Sequence, residues 1–261
     1  MSNKTTSISK ESILLEQQYL LDTSESALRN HLTTLYHILD HNGWSDAIFT
    51  HCSARLPNED AYLINPFGLM FNEVNADNII KVKFNGGIES PCGFPINDNG
   101  VVAHTAIYQR RNDVNCIIHT HSPNGVAFSN LNCELKCVDQ LNMFLFDQIA
   151  YHEFNELFIA DNSQNHMLKD LDNKLCMIMR NHGLIALGSN IPMAFWNYYF
   201  LERACGAELQ LMSTGQEIKN PIHTTKEAVA KQYQIWHQEF EGFPGNADLL
   251  FLAEKRRLST S

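Results

Sequence analysis

The run Val114-Asn115-Cys116-Ile117-Ile118-His119-Thr120-His121 constrains this chain more than any other stretch. Its apolar residues read as a buried strand, ended by the turn-forming cluster Ser122-Pro123-Asn124-Gly125. Successive side chains of a strand point to opposite faces, so His119 and His121 share one face while Thr120 points away. Two imidazoles side by side at the end of a rigid strand are half of a metal site. The bland alternative is a polar strand end with two unrelated histidines.

With 261 residues, 44% of them apolar, the chain is long enough to bury a sizeable core in one soluble domain. No apolar run approaches the roughly 18 residues that a membrane helix needs, which points away from membrane insertion. The first residues are polar and carry no signal for cleavage, so the expected location is cytoplasmic. A formal charge of -10 excludes nucleic acid as a partner, because phosphate binding needs a basic face, and Lys255-Arg256-Arg257 is only a short exception. Seven cysteines, an odd number in apolar contexts, read as reduced thiols rather than a disulfide framework. Cys133 and Cys137 are too far apart for a zinc knuckle and lack a second pair.

Residues 1–24 form a polar arm with a few leucines, 25–215 the main domain, and 216–261 a helical extension packed on it. Leu28, Leu32, Leu35 and Leu39 recur at helical spacing behind a Ser24 or Ser26 cap, and His41-Asn42-Gly43 ends the helix. His31, His37 and His41 on it are expected at the surface. Residues 44–55 and 61–64 read as a hairpin, and 79–84, alternating apolar and basic, as a half-exposed strand turned by Asn85-Gly86-Gly87. A loop at 90–100, rich in Pro, Gly and Asn, is of the kind that lines sites, and a helix over 101–111 follows it. Beyond the histidine strand, 124–130 reads as a short helix, 138–151 is apolar without a clear class, and a helix from Asn162 or Ser163 runs to Asp172.

The buried strand 175–180 ends in Asn181-His182-Gly183, which repeats the logic of the first pair: a histidine at a strand's end, beside a glycine that permits tight backbone geometry. Ser189-Asn190 and Pro192 then open a long helix over 193–214. Its aromatics Phe195, Trp196 and Tyr199 belong to the core or to a subunit interface. Trp236 and Phe240 mark helical pieces in the tail.

Several ordered blocks resemble the class II aldolase/adducin family. They are Gly43-Trp44-Ser45, Thr50-His51-Cys52-Ser53-Ala54-Arg55, Asn65-Pro66-Phe67-Gly68-Leu69, His104-Thr105-Ala106-Ile107-Tyr108, Arg111-Asn112-Asp113-Val114 leading to His119-Thr120-His121, and Arg180-Asn181-His182-Gly183-Leu184. The resemblance implies a single-domain three-layer α/β/α sandwich around a mostly antiparallel sheet. It implies His119, His121 and His182 as the ligands of a divalent metal, with Zn2+ favoured and Fe2+, Mn2+ or Co2+ also compatible with three imidazoles. It further implies Lewis-acid stabilisation of an enediolate on a small-molecule substrate, and a homo-oligomer, tetrameric in the family aldolases.

The chain departs from the family's sugar-phosphate aldolases at two places. Their catalytic glutamate aligns with Gly100, and a general base is worth roughly 10² to 10⁴ in rate. Asp98, beside that position, and His104, one helical turn beyond it, are the candidate catalytic replacements. His104 reads equally as a residue that holds a ligand or as a core histidine. In the phosphate pocket Ser53 and Gly68 survive as candidate substrate-binding residues, while Phe67 replaces a hydroxyl and His51 an amide. Tyr108, Asp139, Asp147, Tyr151 and His152 are further candidates to come near the site. These residues support a metal-dependent lyase-like enzyme acting on a small hydroxy or oxo compound rather than on a sugar phosphate. The alternatives are a non-catalytic binding or assembly module of the adducin-head type and an iron-dependent oxygenase on the same scaffold.

Overall fold

The computed structural model describes residues 8–136, 139, 142–145, 147–153, 163–216, 227–228, 231, 234–235 and 244–259. Eight strands form one sheet: β1 (His51–Arg55), β2 (Ala61–Ile64), β3 (Ile80–Lys83), β4 (Ile88–Glu89), β5 (Cys116–Thr120), β6 (Ile149–His152), β7 (Cys176–Met179) and β8 (Gly183–Gly188). Their spatial order is β4-β3-β2-β1-β5-β8-β7-β6, and β6 with β7 is the one parallel pair. The helices that lie wholly among the described residues are α1 (Lys10–Leu21), α2 (Glu25–His41), α3 (Asp98–Arg110), α4 (Pro123–Ser129), α5 (Ser163–Leu171), α6 (Ile191–Ser213) and α7 (Asn246–Leu258).

Period-two alternation divides the sheet's side chains between two cores. On one face Cys52, Ala54, Cys116, Ile118, Ile178 and Ala186 pack against Leu32, Leu35, Leu39, Phe195, Leu201 and Phe251 of α2, α6 and α7. On the other face Tyr62, Ile64, Ile117, Met177 and Leu187 pack against Ile107 and Tyr108 of α3 and Met167 and Leu171 of α5. The result is the expected three-layer α/β/α sandwich. None of the described helices is long and apolar enough to cross a membrane.

Local chemistry sets the element boundaries. Ser24 caps α2 by accepting a hydrogen bond from Ala27 N, Asn97 caps α3 at Gly100 N, and Asn190 caps α6 at Met193 N. The close joint between β8 and α6 requires glycine at position 188, where an added Cβ would lie 2.1 Å from Ala194 N. Arg256 pairs with Glu16 at 2.7 Å and Lys255 lies over the Tyr19 ring, so α7 and α1 hold each other.

Two expectations change, and two stretches without an expectation are filled. The hairpin's first strand begins at His51 rather than Trp44, because Ala47 adopts φ 45° and Phe49 N donates to Asp46 O, so that 46–49 form a turn. The short strand β4, invisible to periodicity at two residues, pairs with β3. His31 is 3% exposed rather than at the surface, since Tyr19 of α1 packs edge-on against its ring at 4.3 Å. The segment 138–151 contains a 3-10 turn, Met143–Leu145, and most of β6. The tail aromatics Trp236 and Phe240, like Cys137, lie outside the described residues, and the six described cysteines are free thiols.

Candidate metal centre and its cavity

β5 lies between β1 and β8 with His119 opposite His51 on one side and Ile185 on the other. His119 points to the α3/α5 face, and its Nδ1 is 3.0 Å from Leu184 O, which leaves Nε2 for a ligand. His121 follows just past the strand. Its Nδ1 donates to Asp46 Oδ2 at 2.9 Å, so the turn that ended the expected strand early also supplies the carboxylate that orients a histidine. His182 arrives from the turn between β7 and β8, where Asn181 takes φ 56° and Gly183 lets the chain pass close to Thr120 O. One ligand nitrogen from each of His119, His121 and His182 lies within 4.8 Å of the others, the one group of described residues able to hold a metal ion.

The donor set fits a divalent metal. Nε2 of His121 is buried without a hydrogen-bond partner, a costly arrangement unless a ligand meets it. Burial first, then neighbouring histidines, pushes His182 down to about 4 and His119 well below its ordinary range. Neutral imidazoles with outward lone pairs are what a borderline metal such as zinc accepts.

The three histidines form the floor of a cavity of about 240 Å3. One wall is a buried hydrogen-bonded line. His51 Nδ1 and His104 Nε2 are 2.9 Å apart, His104 Nδ1 and Ser53 Oγ 2.6 Å, and Ser53 Oγ and Tyr108 Oη 2.8 Å. Arg55 seals its far end, donating to Tyr108 O and stacking 4.9 Å from the Tyr108 ring centroid. Burial, then the charges of His121 and His182, drives His51 down to about 3, and burial drives His104 well below its usual range. Both rings are therefore neutral at physiological pH. Beyond the floor stand His152, Glu153 and Arg180. His152 Nδ1 bonds Asp170 Oδ2 at 2.7 Å.

The other candidates fall as follows. Asp98 is exposed on the first turn of α3 and does not line the cavity. His104 lines it, while Ser53 is fully buried behind His104. Gly68 is exposed in a turn at φ +100°, away from the lining, with Phe94 alongside. Among the further candidates His152 reaches the cavity, and Tyr108 touches it only through Ser53. Asp139, Asp147 and Tyr151 do not line it. Sequence reading missed His51 and Asp46 as site residues. Their signal was present only as an alignment position and a polar residue in a supposed strand.

Gly100 has a steric explanation. A Cβ added there would lie 2.9 Å from both Cδ2 and Nε2 of His51, so the imidazole already fills the space in which a side chain at position 100 would begin. The His51 ring and a larger residue at 100 exclude each other.

Residues 30–209 match the model of the Class II Aldolase and Adducin N-terminal domain. A Pseudomonas aeruginosa protein named for aldolase class 2 is 32% identical over 207 residues, 79% of this chain and 80% of its own. Mouse alpha-adducin is 32% identical over 197 residues, 74% of this chain but 27% of adducin. The crystal structure of an aldolase II superfamily protein from Pseudomonas syringae has a TM-score of 0.81 and 31% identity, over 92% of this chain and 95% of that one.

Two outcomes are expected. Asp46→Asn weakens metal binding by about 10- to 100-fold in competition with a chelating dye, because the orientation of His121 is lost; an unchanged affinity would refute that role for Asp46. In the metal-free protein His51 and His182 have folded-state values near 3 and 4, below the ordinary 6.5. The unfolded chain therefore binds protons first, and stability present above pH 6.5 is lost as pH falls. The urea midpoint should drop between pH 6.5 and about 5, above the range of most carboxylates, and a flat profile there would contradict the neutral buried histidines.

Proposed function

The chain belongs to the class II aldolase and adducin family, and on that premise we propose that it is a metal-dependent lyase-like enzyme acting on a small, unphosphorylated hydroxy or oxo compound. The observation that carries the reading is the convergence of three imidazoles, one with an unpartnered buried Nε2, on the floor of a cavity. His119, His121 and His182 are its metal ligands. A divalent ion held there, zinc before iron, manganese or cobalt, supplies Lewis-acid polarisation of a carbonyl.

The chain's own residues do the rest. His104 acts through His51. With Ser53 Oγ accepting from His104 Nδ1, His104 Nε2 accepts from His51 Nδ1, and His51 presents Nε2 as acceptor for a substrate hydroxyl. Burial keeps both rings neutral, so this wall orients the substrate without repelling a cation on the floor. Asp98, exposed outside the lining, takes no part. Phe49, which lines the cavity, packs against Phe67, so this side of the cavity is aromatic, and this supports a substrate without a phosphate. Ser53 then serves the histidine line, and Gly68 serves the turn.

The likeness to alpha-adducin favours a second reading, a non-catalytic binding or assembly module. An iron-dependent oxygenase is a third use of the same ligands. The family relationship and the exposed Phe49, Met70, Ile88 and Phe94 support a homo-oligomer, and the free thiols support a cytoplasmic setting.

The test is turnover of unphosphorylated hydroxy-ketones and hydroxy-oxo acids by metal-loaded protein, with fuculose 1-phosphate as the phosphorylated control. The expected result is cleavage that a chelator abolishes, that His182→Ala lowers by at least about 100-fold, and that consumes no oxygen. Full metal occupancy with no turnover of any of these would favour the module. Turnover coupled to oxygen uptake would replace the lyase with the oxygenase.

A further inference from the structure

The lyase reading leaves one task unassigned, the movement of a proton at the substrate carbon. The His51 wall is ill suited to it. Its rings are already committed to each other and to the strand behind them, His51 Nδ1 lying 2.9 Å from His104 Nε2 and His104 Nδ1 2.6 Å from Ser53 Oγ. The proton carrier must come from another part of the lining.

The parallel pairing of β6 with β7 sets His152 opposite Met179, and Arg180 N donates to His152 O. The end of β6 is thereby fixed next to the turn that delivers His182. By strand order β1 and β6 lie on opposite sides of β5 and β8, yet His51 and His152 line one cavity. His152 is 8% exposed, and α5 reaches over it with Asp170, whose Oδ2 accepts a hydrogen bond from Nδ1 at 2.7 Å. A carboxylate on Nδ1 fixes the ring orientation and favours the tautomer in which Nε2 is the basic nitrogen.

We propose that His152, oriented by Asp170, is the catalytic residue that carries the proton to and from the substrate carbon next to the carbonyl. The C–H bond breaks, its electron pair becomes the carbon–carbon π bond of the enolate, the carbonyl π pair moves onto the oxygen, and the proton goes to Nε2. In the reverse direction the oxygen pair re-forms the carbonyl, the carbon–carbon π pair takes the proton back from Nε2, and the C–H bond is restored. Nothing is oxidised or reduced. Asp170 is a positioning residue: it never touches the substrate. The assignment rests on the lyase reading, and it explains how a chain with glycine at position 100 moves a proton.

The experiment uses the metal-loaded full chain and dihydroxyacetone in D2O, following by proton NMR the exchange of the carbon-bound hydrogens. Wild type should exchange them. His152→Gln, with unchanged metal content, should slow exchange by about 100-fold or more, and Asp170→Asn should slow it less. An independent readout is the imidazole 15N spectrum of the metal-free chain. It should show His152 as the Nδ1–H tautomer in wild type and as a mixture with Nε2–H in Asp170→Asn. Exchange in wild type that His152→Gln retains overturns the assignment alone, as does an Nε2–H tautomer in wild type. A wild type that exchanges nothing overturns the lyase reading and the assignment with it.

Discussion

The backbone ladder that seats β5 between β1 and β8 is what the site depends on. Its register sets His119 opposite His51 on one side and Ile185 on the other, deep in the sheet rather than at an edge. The same ladder brings Thr120 opposite Leu184, and with it the β7–β8 turn, so that His182 meets His119 and His121. A slip of one residue would turn His119 to the α2/α6 face and scatter the ligands. Burial opposes such a slip, since it would carry His119 into the apolar α2/α6 core and take Thr120 from its hydrogen bond with Tyr198.

On that frame the protein spends burial on nitrogen. Taking imidazoles out of water favours their neutral form, which makes the metal-free site pH-sensitive and the same site ready for a cation. The supporting contacts are spread over distant segments: Asp46 before β1, Leu184 in β8, and Glu202 of α6. Buried Glu202 accepts from Ser122 Oγ and Gly125 N and so holds the turn directly after His121. Burial raises the Glu202 carboxyl above its usual range, which marks the turn as costly to hold and argues for a geometric role.

The fold was legible where burial patterns are strong. The leucine spacing of α2, the apolar run of β5 and the capping residues before α3 and α6 were readable because each follows from local chemistry. The three histidines that the structure brings together were readable too, though the third joined the other two only through the family likeness, since nothing local relates position 182 to position 119. What was hidden depends on contacts between distant segments. Asp46 looks like part of a strand until Ala47 turns the chain; His51 looks like a lost amide until its ring is found against Gly100; and His31 looks exposed until α1 covers it. Asp98 looked close to the site in sequence, but a helix's first turn points its side chains in several directions, and this one faces solvent.

The most direct test of the account is the metal content of purified, untagged protein beside His121→Ala, with circular dichroism to show that both are folded. The account expects about one equivalent of zinc, iron, manganese or cobalt in the wild type, recovered after chelation and reconstitution, and a folded variant that holds almost none. A wild type that stays metal-free after reconstitution, or a variant that binds as tightly as wild type, would contradict it.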